Sequence, residues 1–202
     1  MQLIGVNRSP YTRRVAITLE HYGMPYEQRD LNGFANWEEV KISNPLGRIP
    51  ALVLDDGEAL IDSEAIVDHL DELYGNERAL TPPRGADRRA VLRVSALMMG
   101  ACDKGLHAAY ERNHHPPEKV HLPWIEDCTK RMKSALKAAD EMAEPGQYLL
   151  LGRLTHADIT AFVAERLARV GLGVDTEREM PRLRALAKRL LEQPAFAKTE
   201  PS

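Results

Sequence analysis

Residues 7–15, NRSPYTRRV, follow a short apolar run and lead into a helical pattern. A serine just before proline at the first turn of a helix sits where backbone N–H groups have no partner inside the helix and point outward. The partial positive charge there favours an anion, and Arg8, Arg13 and Arg14 add positive potential nearby. Such a site can hold a thiolate: the Ser9 hydroxyl donates to the sulfur while helix-terminal N–H groups lower its pKa. The same serine serves equally well as a plain helix cap.

NPLGRIPAL, residues 44–52, is a second such stretch. Pro50 follows Ile49 and precedes an apolar strand, which suits a cis bond of the kind found at about 5–6% of X–Pro bonds. A cis bond there exposes the backbone of Ile49, and a bound peptide can pair with it as an added strand. An ordinary trans proline at a strand edge reads the same in sequence. In IDSEAI, residues 61–66, Asp62 and Ser63 open a helix. Ser63 and the helix N–H groups suit a carboxylate and Asp62 an ammonium, so the pair can hold both ends of an amino acid. Helix capping alone also explains them. Together the three stretches describe a ligand with an amino-acid head, a central thiol and a terminal carboxylate, the tripeptide glutathione.

The elements that must position these residues fall into two halves. Residues 1–76 alternate strand and helix signals in the order β-α-β-α-β-β-α. Leu3–Val6 is a strand; Val15, Thr18, Leu19 and Tyr22 have helical spacing, ended by Gly23 and Pro25. YEQRDL returns as a strand and residues 34–43 form a weakly patterned helix. IPALVLDDGEALID is a hairpin about Asp-Asp-Gly, and Ile66, Leu70 and Leu73 mark the helix begun by Asp62 and Ser63. Residues 77–87 read as a linker rich in Gly, Pro and charge. Residues 88–202 are all helical. Val91, Val94, Met98 and Ala101 share one face, and Ile125, Cys128, Met132, Ala135, Ala139 and Met142 another. In LTHADITAF, Thr155 is an N-cap with Asp158 three residues on, and Leu154 staples against Ile159. The fold class is α+β, a mixed domain followed by an all-α domain.

These motifs resemble those of the cytosolic glutathione transferases over essentially the whole chain. SPYTRRV resembles the serine-type active-site motif, NPLGRIPAL the NPxGKVPxL loop, LIDSEAI the L-x-E-S-x-A-I motif, and LTHADITAF the capping box of the second domain. The resemblance implies a thioredoxin-like first domain, a helical second domain carrying most of the electrophile pocket, and a homodimer. It implies that Ser9 hydrogen-bonds the glutathione thiolate, that the Ile49 main chain pairs with the cysteinyl moiety beside a cis Pro50, that Asp62 and Ser63 hold the γ-glutamyl end, and that Arg48 faces the glycyl carboxylate. Two departures stand out. Asp62 replaces the usual Glu, a shorter reach to the ammonium, and Asn36 lies where some serine-type members carry a lysine. Both predict glutathione affinity weaker than low-micromolar.

A free thiol has a pKa of about 8.5, so only a few per cent is thiolate at neutral pH. Lowering it by about two units corresponds to roughly 2.7 kcal/mol of preferential thiolate stabilisation. The thiolate then attacks a small electrophile, with Ser9 as donor and never as nucleophile. Tyr11 is the rival hydroxyl; two residues into the helix it points away from the sulfur and packs or lines the pocket. Glutathione-dependent isomerisation or dehalogenation uses the same thiolate, whereas a thiol reductase needs a cysteine where Ser9 stands. A transferase-like carrier or interaction module is the non-enzymatic alternative.

The remaining signals narrow the class. The long helix expected from about residue 87 carries His107 and Tyr110, candidates to line the electrophile pocket, and His114, His115 and His121 follow. Adjacent histidines before Pro-Pro read as an exposed loop, and no metal is expected. Cys102 and Cys128 lie far apart in helical patterns, without a CxxC, and read as buried free thiols of a reducing compartment. Across 202 residues, 44% hydrophobic and 28% charged content are ordinary for a soluble globular protein, and a net charge of -3 argues against a general nucleic-acid or membrane surface. MQLIGV enters a strand directly, without the basic region of a signal peptide, and a cytoplasmic location is expected.

Overall fold

The computed structural model describes residues 1–75 and 78–201. Two units are distinguished: Met1–Ala79 together with the chain from Leu191 on, and Leu80–Leu190.

In the first unit, β1 (Gln2–Ile4) pairs in parallel with β2 (Glu27–Arg29) and antiparallel with β3 (Ala51–Val53), which pairs antiparallel with β4 (Ala59–Ile61). The sheet order is β2-β1-β3-β4. Alternation along each strand sorts the core into two layers. Ile4 and Ala51 pack with Val40 of α2 (Trp37–Val40) and with Leu31 and Ile49. Leu3 and Leu52, register partners and both fully buried, point the other way, toward α1 (Pro10–Tyr22) and α3 (Ser63–Tyr74). Local chemistry sets the ends of α1. Ser9 is its N-cap and Pro10 its first residue, while Gly23 closes it in a left-handed conformation at φ 65°, its N–H donating to the Glu20 and Leu19 carbonyls. The expected β-α-β-α-β-β-α order is therefore observed.

In the second unit, α4 (Gly85–His114) packs on α5 (Leu122–Met142) and on α6 (His156–Arg166). The buried stripe of α5 is Ile125, Cys128, Met132, Leu136 and Ala139. Leu136, the larger side chain, occupies the inward position that periodicity assigned to Ala135. At Gly105 the α4 backbone passes so close that an added Cβ would lie 2.7 Å from Met132 Sδ. Every residue of α6 from His156 to Glu165 is buried. Asp158 anchors the start of this helix: Oδ2 accepts from Thr155 N–H at 2.9 Å and Thr155 Oγ1 at 3.0 Å, and Oδ1 accepts from Leu149 N–H at 2.8 Å. The expected capping box is present. One π-type turn, Leu167–Gly171, follows, then α7 (Thr176–Glu179) and α8 (Pro181–Leu191).

The expected helical domain at 88–202 needs correction at its end. The segment after α8, with α9 (Pro194–Lys198), belongs to the first unit. Arg13 supplies the physical reason. Its guanidinium is 1% exposed, and a buried cation requires partners; it ion-pairs with Glu200 and donates to the Phe196 carbonyl at 3.2 Å. Lys198 pairs with Glu20 of α1 at 3.1 Å. The other boundary, at residues 76 and 77, lies outside the described residues, and the expected linker is shorter than 77–87 because α4 begins at Gly85.

Candidate functional site

Five of the six residues singled out as ligand contacts border one open cavity in the first unit: Arg48, Ile49, Pro50, Asp62 and Ser63. Tyr11, Asn44, Leu46 and Ile61 complete its wall. The sixth, Ser9, is half-buried at the start of α1 and is not part of that wall.

The loop before β3 is built by Asn44, a residue that sequence reasoning quoted but gave no role. Its Nδ2 donates to the Arg48 carbonyl at 2.8 Å, its Oδ1 accepts from Leu46 N–H at 3.1 Å, and its carbonyl accepts from Gly47 N–H at 2.7 Å. Asparagine before a turn is a recognisable signal for such bracing. Gly47 sits at φ 65°, and an added Cβ would fall 2.2 Å from the Trp37 ring. The turn thus requires glycine both for its dihedral and for its closeness to Trp37. The loop ends in a cis Ile49–Pro50 bond. Ile49 N–H and C=O take part in no hydrogen bond among the described residues, so this backbone has both a donor and an acceptor left for a ligand. Arg48 is exposed and forms no ion pair among the described residues.

Across the cavity, Asp62 caps α3, its Oδ1 accepting from Glu64 N–H at 3.0 Å. Its backbone stands at φ 67°, ψ 132°. A non-glycine residue held there is strained by about 1–3 kcal/mol, a feature that clusters at ligand sites. No sequence signal announced it. Ser63 is 3% exposed, and its Oγ accepts from Arg14 NH1 at 3.3 Å.

At the start of α1, Ser9 Oγ accepts from Thr12 N–H across 3.4 Å, a long capping bond, and its own proton has no acceptor among the described residues. The reading of Arg13 and Arg14 as charge beside Ser9 is corrected. Arg13 is matched by Glu200, and Arg14 reaches the α3 terminus, pairing with Glu64 at 3.0 Å. Arg8 alone of the three is exposed. Asn36 is spent on its own loop, accepting from Asn32 N–H at 3.0 Å and donating to Glu39 at 3.1 Å.

Outside the cavity, His107 lies beside Trp124 with ring centroids 6.3 Å apart, Tyr110 beside His114 at 5.4 Å, and His115 beside Glu111 at 3.3 Å. Among the described residues no group of three or more His, Cys, Asp or Glu is arranged to hold a metal, and no helix is long and apolar enough to cross a membrane. Cys102 and Cys128 are buried and form no disulfide among the described residues, and burial raises the Cys128 pKa above its ordinary value. Neither offers an exposed nucleophile.

Comparison with known proteins agrees with this geometry. Residues 3–78 match the family model of the glutathione S-transferase N-terminal domain. The chain is 30% identical over 218 residues to the maleylacetoacetate isomerase of Pseudomonas aeruginosa, covering 100% of this chain and 96% of that one. It is 28% identical over 209 residues to the GST-like protein YibF of Escherichia coli, covering 100% and 98%. The crystal structure of a glutathione S-transferase from Methylobacillus flagellatus with glutathione bound superposes with a TM-score of 0.91 at 27% identity, covering 100% and 99%. With full-length similarity, a matching fold and a cavity built from the family's own motifs, the chain belongs to the glutathione S-transferase family.

Proposed function

We propose that this protein binds glutathione in the cavity between the residue 44–50 loop and the start of α3, and uses it as thiolate to attack a small electrophile. The convergence of Arg48, Ile49–Pro50 and Asp62–Ser63 on one cavity carries this reading. The two ends of the tripeptide differ in charge, and so do the walls. Arg48 suits the glycyl carboxylate, Ser63 and the α3 N–H groups suit the γ-glutamyl carboxylate, and Asp62 suits the ammonium. Ile49 offers the main-chain pair for the cysteinyl unit. Ser9, whose hydroxyl proton is uncommitted, donates to the sulfur and, with the positive end of α1, favours the thiolate. The thiolate's lone pair forms the new S–C bond, and the electrophile's leaving group departs with its bonding electrons.

The full-length similarity to a maleylacetoacetate isomerase favours a second reaction on the same site. There the thiolate adds to a conjugated double bond, the resulting single bond rotates, and the thiolate is expelled, so glutathione is not consumed. Loss of free thiol with an aryl halide, against its conservation during isomerisation of a conjugated cis-enone, separates the two. On family grounds we also expect a cytoplasmic homodimer, which sedimentation equilibrium would test for assembly. Binding itself is tested by calorimetry with glutathione: saturable heat abolished by Ser63→Ala supports the assignment, and unaltered binding in that variant contradicts it.

A further inference from the structure

Among the described residues of the first unit, every lysine and arginine side chain but two has a matched partner. Arg13 pairs with Glu200, Arg14 with Glu64, Arg29 with Glu39, Lys41 with Glu38 and Lys198 with Glu20, and Arg78 lies over the Tyr74 ring. The two left over are Arg48 and Arg8, both exposed. Arg48 borders the ligand cavity. Arg8 directly precedes Ser9, and the chain on either side of it is tied down. Gly5 N–H donates to the Arg29 carbonyl at 3.0 Å, and Ser9 N–H donates to the Val6 carbonyl at 3.0 Å. Gln28 Nε2 donates to the Gly5 carbonyl at 3.0 Å and to Asn7 Oδ1 at 2.9 Å. Consecutive Cα atoms lie about 3.8 Å apart, so this uncompensated guanidinium is anchored one residue from the hydroxyl assigned to the sulfur.

From this we infer that Arg8 is a specificity-determining residue that draws a carboxylate-bearing electrophile to the glutathione sulfur, a role resting on the assignment of Ser9 to that sulfur. Glutathione itself has no anion left for Arg8. Its glycyl carboxylate is assigned to Arg48, and its γ-glutamyl carboxylate to Ser63 and the α3 N–H groups. The charge that Arg8 meets therefore comes with the second substrate. A guanidinium suits this task, because its parallel N–H donors match the two oxygens of a carboxylate and fix the direction of approach. The attraction acts across water, so it steers encounter and is screened by salt. Arg8 orients the electrophile and takes no part in the bond changes at sulfur.

Two probes of like shape and different charge test this: a chlorodinitrobenzoate with its carboxylate para to chlorine, and the corresponding uncharged carboxamide. With either, the thiolate forms the S–C bond at the ring carbon bearing chlorine, and chloride leaves with the bonding electrons. Initial rates are measured at saturating glutathione. Arg8→Gln is expected to lower kcat/KM for the benzoate about fivefold, the upper end of what an exposed ion pair contributes. The carboxamide rate and the glutathione Kd should stay within about twofold. Arg8→Lys keeps the charge and should recover most of the loss. Added salt should lower the benzoate's kcat/KM more steeply in the native protein than in Arg8→Gln. Equal slowing of both probes would assign Arg8 to the thiolate, and a weakened glutathione Kd with both rates unchanged would assign it to the tripeptide; either result overturns the inference. If Ser9→Ala slows both probes and Arg8→Gln does not separate them, this inference alone falls. If Ser9→Ala slows neither, or the native protein turns over neither, the thiolate reading falls and takes it along.

Discussion

Replacing Asp158 by alanine tests how much one buried carboxylate holds together. In the native unit it accepts from Leu149 N–H, Thr155 N–H and the Thr155 hydroxyl. Leu149 and Thr155 are buried, at 7% and 0% exposure, so water cannot replace the lost acceptor. Each stranded backbone donor costs about 1–3 kcal/mol, and the lost cap contributes about 1 more. Allowing for overlap, we expect about 3–5 kcal/mol of destabilisation, a large share of the roughly 5–15 kcal/mol that domains possess. At about 2–4 °C per kcal/mol, the melting temperature should fall by roughly 6–20 °C. Urea unfolding followed by far-ultraviolet circular dichroism gives the free energy, and a loss under about 1 kcal/mol would refute the reasoning. The pH dependence is a second check. Burial raises the Asp158 pKa above its ordinary value, against its hydrogen bonds. The native state then holds this proton more tightly than the unfolded chain does. Its contribution to stability is fully present below the unfolded value of about 3.9 and declines as pH rises through the raised native value. The stability of the native protein relative to Asp158→Asn should fall over that window; a rise would contradict the sign.

Three further outcomes follow from the site. Asp62→Asn keeps the Glu64 N–H acceptor and tolerates the positive φ, so the melt should stay unchanged while glutathione Kd rises about five- to tenfold through loss of the ammonium's partner; unchanged affinity would remove Asp62 from the site. Gly47→Ala drives a Cβ into the Trp37 ring and strains a left-handed turn, so glutathione binding should weaken together with a stability loss of about 1–3 kcal/mol. Normal binding in that variant would show that the loop's conformation is not what presents Arg48 and Ile49. Tyr11→Phe should keep kcat within about threefold, because only Ser9 is assigned to the sulfur; a loss of about a hundredfold, as general acid–base groups show, would transfer that role to Tyr11.

What was legible in sequence was local. Ser9-Pro10 and Gly23 mark α1 because caps and stops are short-range chemistry, and Asp-Asp-Gly between apolar runs specifies the β3–β4 turn. Ile49, Pro50, Asp62 and Ser63 stand out in sequence because each stretch has its own chemical logic, whereas Arg48 entered only through the family resemblance; the fold brings all five to one cavity. The illegible part depends on partners far along the chain. Arg13 finds Glu200 and Arg14 finds Glu64, separations of 187 and 50 residues, so their cluster beside Ser9 in sequence is not a cluster of free charge in space. The return of α9 to the first unit is hidden for the same reason. Asp62 looks like an ordinary cap until its backbone dihedrals are seen, and Asn44 becomes a scaffold only when its three bonds to the loop are traced.

The most direct test of the central claim is the pKa of glutathione's thiol on the protein, read from thiolate ultraviolet absorbance across pH in the native chain and in Ser9→Ala. The account predicts a bound value about two units below the free thiol, corresponding to roughly 2.7 kcal/mol, and a return toward the free value in the variant. Saturable binding with an unshifted thiol, or a shift that survives Ser9→Ala intact, would contradict it.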